Sequence, residues 1–368
     1  MPLQLYTCDD VHTERFQWDY PMTKYADRKA SAYGAPMKFS VGTRTVSDVD
    51  ASDFPSQATE SKSSPAKITC SIGIMAYNEE SNIGHLLQAL GEQFGSISQI
   101  EEIIVVASGC TDRTEEIVKT YAAQDKRVRL IVQKEREGKA SAINLFLEVA
   151  VGDVIILESG DTIPESHTVE NLVRPFRNPR IGMAGARPVP VNPTDNFIGF
   201  TVNLYWRMHH EVALADPKSG EMIAFRNVFQ RLPRNTAVDE ASFEAMIKYT
   251  GFSITYAGDA VVRNKGAETV RDFLRQRRRV SAGHRHLRAT QHYKVSTAKY
   301  SNMLRVARRL VLESYKNPKR IPWIFSAVAL EIYGRFLGAY DYYIRKTNPF
   351  VWEIAESTKR LKDDPAGR

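Results

Sequence analysis

Asp161 closes the apolar stretch Asp153 to Pro164, DVIILESGDTIP, and its setting points to phosphate chemistry. Val154 to Glu158 read as a buried strand, and Ser159, Gly160 and Asp161 follow at once. A strand that ends in small residues and one acid presents that carboxylate at its C-terminal edge, where open α/β sheets bind ligands. A carboxylate there can hold a divalent cation, and the cation a diphosphate. A strand followed by an ordinary polar turn has the same local pattern, so the rest of the chain has to decide. Two other clusters carry chemistry-bearing side chains. VDEASFE sets Asp239 and Glu240 together at a helix start, a place where the helix dipole alone favours acids. QRRRV, Gln276 to Val280, sits in a helix over 269–289 that is crowded with arginines and holds the single acid Asp272. Arginine suits phosphate because its charge is permanent and its donors are forked. Such a density exceeds what a solvated face needs.

The elements that must position these residues follow from periodicity. ITCSIGIMA, IEEIIVVAS, VRLIVQ and DVIILES read as strands. Between them, AYNEESNIGHLLQALGEQF, RTEEIVKTYAAQ and KASAINLFLEVA read as helices. In the first helix Ile83, Leu86, Leu87, Leu90 and Phe94 form the apolar stripe, with Asn78 as N-cap and Glu79 and Glu80 in the first turn. Thr111 or Asp112 fits a cap for the second. This alternation predicts a parallel sheet with right-handed crossovers. Beyond Asp161 it gives way to a strand in GMAGARPVPV, a helix in FIGFTVNLYWRMHHEVALA and a strand in GEMIAFRNVF. A helix in DEASFEAMIKYTG closed by Gly251, a strand in FSITYAG, the basic helix and a helical pattern from about Met303 to Ile344 complete the order.

Composition bounds the rest. The 368 residues, 43% hydrophobic and 25% charged, can bury a sizeable core. The formal charge of +7 favours anionic partners. The cysteines, Cys8, Cys70 and Cys110, are odd in number and widely spaced, which argues against a disulfide framework or zinc site and for a reducing compartment. No basic segment followed by an apolar core opens the chain, so no signal peptide is expected. No apolar run reaches the length of a spanning helix. The expected domains are a largely flexible extension over 1–66, a folded body over 67–290 and a helical region over 291–368. In that last region IPWIFSAVALEIYGRFLGAYDYYI is apolar but interrupted by Glu331, Arg335 and Asp341, with Lys316, Lys319 and Arg320 before it. It suits either a core-packed helix, with Glu331 and Arg335 as an i,i+4 pair, or peripheral contact with anionic lipid through 316–344.

Six local signals now stand in one order: MAYNEE (75–80), VVASGCTDRT (105–114), EGKASAIN (137–144), ESGDTIP, VDEASFE (238–244) and QRRRV (276–280). Over residues 68–280 this order resembles the family 2, GT-A-fold inverting glycosyltransferases. The resemblance implies an α/β GT-A fold, a mixed and mostly parallel sheet with flanking helices, followed here by a C-terminal helical segment. It implies a nucleoside-diphosphate sugar donor (UDP or GDP) and Mn2+ or Mg2+ held at Asp161. Ala76, Tyr77, Asn78, Glu79, Ser108, Lys139, Ser159, Gly160, Asp161, Gly220, Gln276 and Arg279 match donor-binding positions. Glu240 matches the base, with Asp239 as its partner or in the exchanged role.

Three departures accompany the likeness. Ala107 and Ser108 stand where the family often has two acids, so the nucleotide is open and Ser108 is left to meet the base edge. Ser159 replaces the first acid of the metal element, and Glu158, one step earlier, is expected to point away. Val280 replaces an aromatic residue. Arg187 is a weaker candidate, and His284 and His286 read as structural or phosphate-contacting. The implied acceptor is a hydroxyl or phosphate on a glycan, a lipid carrier or a small molecule. The competing readings are a degenerate GT-A domain that binds nucleotide-sugar or lipid phosphate without catalysis, and a nucleotidyltransferase, against which no Gly-rich loop follows the first strand. No nucleic acid is expected, and the expected place is the cytoplasm, peripheral to a membrane's cytoplasmic face.

Overall fold

The structure is a computed structural model and describes residues 66–233, 236–296, 308–309, 312 and 317–346. The expectations for residues 1–65, for Met303 and for Lys316 fall outside the described residues.

Eight strands form one mixed sheet. β1 (Ile68–Ala76), β2 (Ser98–Ser108), β3 (Val128–Gln133) and β4 (Val154–Ser159) are joined by α1 (Ile83–Gly91), α2 (Thr114–Gln124) and α3 (Lys139–Leu147). These four strands pair in parallel, in the order β3-β2-β1-β4. β1 and β4 are covered on both faces, which is why ITCSIGIMA and VIILES read as near-continuous apolar runs. Register brings the strand ends together: Met75 lies opposite Ser159, and Ala76 opposite Ala107. The C-terminal ends of β1, β2 and β4 therefore share one edge.

The second half of the sheet is built from β5 (Thr162–Pro164), β6 (Ile181–Pro190), β7 (Ile223–Arg226) and β8 (Ser253–Asn264), in the order β4-β7-β6-β8-β5. β7 runs antiparallel to β4 and β6, and β6 runs parallel to β8. α4 (Thr168–Val173) follows β5, α5 (Phe197–Ala215) follows β6, and α6 (Asp239–Tyr249) precedes β8. α7 (Val270–Gln291) and α8 (Ile321–Tyr343) pack on one another beyond the sheet. One apolar cluster lies between β1, β4 and α1, around Ile72, Ile74, Leu86 and Ile156, and another around Phe146, Leu157, Phe225 and Phe243 on the opposite face. The mixed, mostly parallel sheet with flanking helices is the one expected. β8 is longer than the FSITYAG stretch that announces it.

Two details of the first helix differ from expectation. α1 starts at Ile83 rather than beside Asn78, with Asn82 flanking it and no acid in its first turn. Asn78 is held at φ 51°, the left-handed region that asparagine tolerates, and its side chain serves the neighbouring loop instead of a helix. Phe94 lies past the helix end, 63% exposed, with its ring edge-on to His167 at 4.6 Å. Asp112 does accept the Thr114 N–H at 3.0 Å, in keeping with a capping role at the start of α2.

Candidate active site

A cavity of about 1640 Å³ opens at the shared strand edge. Its floor comes from the ends of β1, β2 and β4, one wall from the first turns of α3 and α6, and the opposite wall from α7 and α8. Of the residues singled out in sequence, Ala76, Tyr77, Glu79, Ser108, Lys139, Ser159, Gly160, Asp161, Gly220, Asp239, Glu240, Gln276 and Arg279 line it. Asn78 does not. Its Oδ1 accepts the Thr111 N–H at 2.8 Å and its Nδ2 donates to Thr111 Oγ1 at 3.1 Å. Glu79 and Glu80 add bonds from their N–H groups to Thr114 Oγ1 (2.8 Å) and Asp112 Oδ2 (3.0 Å). The loops after β1 and β2 thus brace each other, and Asn78 shapes the floor without reaching the cavity.

One end of the cavity is formed by Tyr77, Arg136 and Ser108. The Arg136 guanidinium lies 4.2 Å from the centre of the Tyr77 ring, giving a flat platform of aromatic and cationic character. Ser108 is buried and donates its hydroxyl hydrogen to Gln133 Oε1 at 2.7 Å. Its oxygen keeps acceptor capacity only, which narrows the contact expected of it with a base edge.

The next element is the turn after β4. Glu158 points into the interior, bonded to the Thr162 hydroxyl, and burial pushes its carboxyl well above the ordinary range. It does not line the cavity, although the charge of Asp161 still reaches it. Gly160 carries no Cβ because one would lie 2.8 Å from Glu79 Cγ, so the turn hugs the β1 loop and leaves Asp161 facing the cavity. Among the described residues no group of three or more His, Cys, Asp or Glu side chains forms a metal cage. Asp161 nonetheless fits the cation the resemblance implies. A Mg2+-type ion at a phosphate site uses one or two carboxylates and takes its remaining ligands from water and the phosphates.

Facing Asp161 is a cluster of one lysine and two acids. Gly138, at φ 95°, turns the chain into α3 and delivers Lys139 at its first position. Lys139 Nζ lies 2.9 Å from Asp239 Oδ2 and 3.3 Å from Glu240 Oε1. Burial alone would discharge this ammonium; the two carboxylates override it and hold its pKa above the ordinary lysine range. The Glu240 carboxyl is raised, by burial first and by Asp239 second, against the pull of Lys139. The acids differ in access, with the Asp239 side chain 7% exposed and that of Glu240 28%. Arg279 reaches the same corner, donating to Ala237 O at 3.4 Å.

Several lining residues had no sequence signal. Glu221 follows Gly220 and accepts from Asn264 Nδ2 at 3.3 Å. Burial, then the charges of Asp161 and Glu240, push its carboxyl up to about 7. Lys218 is pushed down to about 8, by burial first. Their loop is pinned by the Ser219 N–H on Glu244 Oε1 (2.6 Å) and by His209 Nε2 on Ser219 O (3.0 Å). A lone acid or lysine beside an apolar run has no periodic mark; only its place against β4 shows its role.

The arginine helix divides into two faces. Arg271, Arg275, Gln276 and Arg279 line the cavity, and Arg277 and Arg278 border it while their guanidinium groups pair with α8. Arg277 is buried against α8, its Nε 2.7 Å from Glu331 Oε2 and its Nη1 2.7 Å from Tyr205 Oη. Arg278 pairs with Asp341. Part of the charge density read as phosphate-directed is therefore structural, and the acids that consume it lie on α8. The i,i+4 pair of Glu331 and Arg335 is formed at 2.7 Å. His284 lines the cavity, kept neutral by burial and by the charges of Lys218 and Arg277, which push it down to about 3. Arg187 is not among the lining residues; its charge acts on His210 and Tyr256.

Comparison with known proteins agrees with this architecture. Residues 71–238 match the model of "Glycosyl transferase family 2". The chain is 28% identical over 144 residues to glycosyltransferase AglD of Haloferax volcanii, covering 38% of this chain and 23% of that protein. It is 24% identical over 198 residues to dolichyl-phosphate beta-glucosyltransferase ALG5C of Trichomonas vaginalis, covering 49% and 59%. The chain thus spans less than two thirds of either curated relative. Among solved structures it is similar to the mannosyltransferase PcManGT of Pyrobaculum calidifontis, determined in complex with GDP-Man and Mn2+. There the TM-score is 0.50 with 21% identity, over 77% of this chain and 83% of that one. That likeness shows the fold, GT-A. Over residues 71–238, just under half of its length, this chain matches glycosyl transferase family 2.

Proposed function

We propose that the protein transfers a sugar from a nucleoside-diphosphate donor to an acceptor hydroxyl or phosphate, with inversion at the anomeric carbon. The observation that carries this reading is the pairing of the Lys139–Asp239–Glu240 cluster with Asp161 across one cavity. The Tyr77–Arg136 platform would take the nucleobase, and Asp161 would hold a divalent cation beside the diphosphate. A bound Mn2+ or Mg2+ would supply positive charge against the phosphates of the leaving group. Gln276 and Arg279 flank the diphosphate from α7, with the guanidinium neutralising charge that develops as the leaving group departs.

Glu240 is the base. It is the more accessible acid, and its raised pKa brings its basicity nearer neutral pH, where proton abstraction is most effective. The acceptor oxygen, of a hydroxyl or of a singly protonated phosphate, attacks the anomeric carbon as its proton passes to Glu240. The bond from that carbon to the diphosphate oxygen breaks, and the nucleoside diphosphate leaves with the electron pair. Asp239, closer to Lys139 and nearly buried, fixes the lysine and through it the position of Glu240. A lipid-linked phosphate is the acceptor class favoured by Arg271, Arg275 and Arg345 at the cavity wall. The name of the Trichomonas vaginalis relative points the same way.

The test is nucleoside-diphosphate release from UDP- and GDP-sugars with Mn2+ or Mg2+, with and without acceptor extracts. Wild type should release product from one donor. Glu240→Gln should lower kcat by about 10²- to 10⁴-fold, the usual worth of a positioned base, and Asp161→Ala should remove metal-dependent turnover. Full activity of Glu240→Gln with a dead Asp239→Asn would reverse the two roles. No release from any donor would end the transfer reading.

A further inference from the structure

We infer that α8 is a docking face for an anionic lipid bilayer, lying in the plane of the membrane while its inner side forms a wall of the cavity. The helix has two sides: Glu331 and Asp341 face inward together with Ile324 and Ala327, while Arg335 stays exposed. Glu331 meets Arg277, Asp341 meets Arg278, and Gly334 and Gly338 bring the backbone against α7. A run of its large apolar side chains faces outward. Phe325, Ile332, Phe336 and Tyr343, separated by seven, four and seven residues, fall on one helix face. They are 72%, 63%, 64% and 65% exposed. Val328, Tyr333 and Tyr340 flank them, also exposed. At 1.5 Å per residue the stripe runs for ~30 Å, well beyond the scattered apolar residues of a normal surface.

Charge selects the occupant. Lys319 and Arg320 stand before the helix, Arg345 and Lys346 after it. With both ends basic, two copies of α8 laid side by side set like charges together in either direction, which disfavours a self-associating face. An anionic bilayer meets both ends with opposite charge and takes the Phe, Ile and Tyr side chains at its interface. Spanning is not the arrangement: among the described residues no helix is long and apolar enough to cross a membrane, and the inner face of α8 is tied to α7 by ion pairs.

The consequence for the cavity follows from the other side of the helix. Leu337, Asp341 and Arg345 line it, so a docked α8 puts the cavity wall at the membrane surface, within reach of an acceptor carried on a lipid. That last step rests on the transfer reading; the docking does not.

Flotation of the full chain with vesicles separates the two. We expect wild type to rise with vesicles of phosphatidylcholine plus phosphatidylglycerol and far less with phosphatidylcholine alone. High salt should weaken the binding. Ile332→Glu combined with Phe336→Glu should cut the floated fraction about tenfold or more, while the far-UV spectrum and donor hydrolysis stay at the wild-type level. The proposal is overturned if wild type stays unbound with both vesicles, or if the double variant floats as well as wild type. It is also overturned if wild type sediments as a dimer that the variant dissolves and neither floats, which would give the face to a second copy. Flotation without any transfer activity would retain the docking and sink only the functional reading.

Discussion

Lys139 is placed where it holds two carboxylates at once, and the surrounding acids are left with more negative charge than it neutralises. Glu221 lies among them, raised first by its own burial and then by the charges of Asp161 and Glu240. Its carboxyl, at about 7 in the folded chain against an ordinary value of 4.5, keeps its proton over a range in which the unfolded chain has lost it. The sign follows. The stability gained by holding that proton is fully present below 4.5 and is lost as the pH rises through 7. Glu221→Gln keeps an acceptor for Asn264 and removes the titration. Urea denaturation in EDTA should find the variant and wild type level at acid pH. Above neutrality the variant should be the more stable, by at most about 3 kcal/mol. An equal difference at both ends of the range would mean that Glu221 is already ionised or solvated. At this scale the sequence was partly legible. Asp161, Asp239 and Glu240 stood in ordered motifs and line one cavity. Glu221 stood alone beside the apolar run MIAF, and only the pairing of β7 with β4 reveals it. Asn78 misled because an asparagine after a strand looks the same whether it caps a helix or takes the left-handed turn that it has here.

The seam between α7 and α8 is the element on which the arginine cluster depends. A Cβ at Gly338 would lie 2.5 Å from Ser281 Cβ and 2.6 Å from Arg278 O, and one at Gly334 would lie 2.6 Å from Arg277 Cβ. Gly338→Val therefore has to separate the helices and stretch the Arg278–Asp341 and Arg277–Glu331 pairs. A loss of about 1–3 kcal/mol is expected from overpacking, with further loss if a buried charge is stranded. Gly91→Ala is the control, since nothing lies within 4 Å of a Cβ there, and it should leave thermal stability unchanged or slightly raised. Equal midpoints for Gly338→Val and Gly91→Ala would show that the seam is loose. Strands and helices were legible where their period was strong: Phe197–Ala215 is the helix its pattern announced. The arginines were not, because Glu331 and Asp341 stand 54 and 63 residues away from their partners, and no local pattern links them.

Across the whole molecule, one sheet edge collects residues from the ends of β1, β2 and β4, while the return strands β6, β7 and β8 bring the Lys218–Glu221 loop and the acids of α6 to face them. The order of motifs made this arrangement legible in advance, because parallel strands joined by helices send their C-terminal ends to the same side. The distribution of charge over the cavity was not. Asp161, Glu221, Asp239 and Glu240 line it together with Arg271, Arg275 and Arg279 of α7, and the charge of Arg279 reaches Glu240, Asp239 and Glu221.

The solitary carboxylate at Asp161 has a thermodynamic consequence. A cation held by Asp161, with no cage of three such side chains among the described residues, would have little reason to stay by itself, and a diphosphate would have little reason to approach the acids unaccompanied. Each completes the other's site, so their binding is linked, and linkage is reciprocal. Titration calorimetry should find that Mn2+ tightens UDP or GDP by about 5- to 150-fold, and that the nucleotide tightens Mn2+ by the same factor. In Asp161→Ala that factor should fall to about one. The donor and its counterion then arrive as a single thermodynamic unit, so free nucleotide in a metal-poor solution should be a poor inhibitor.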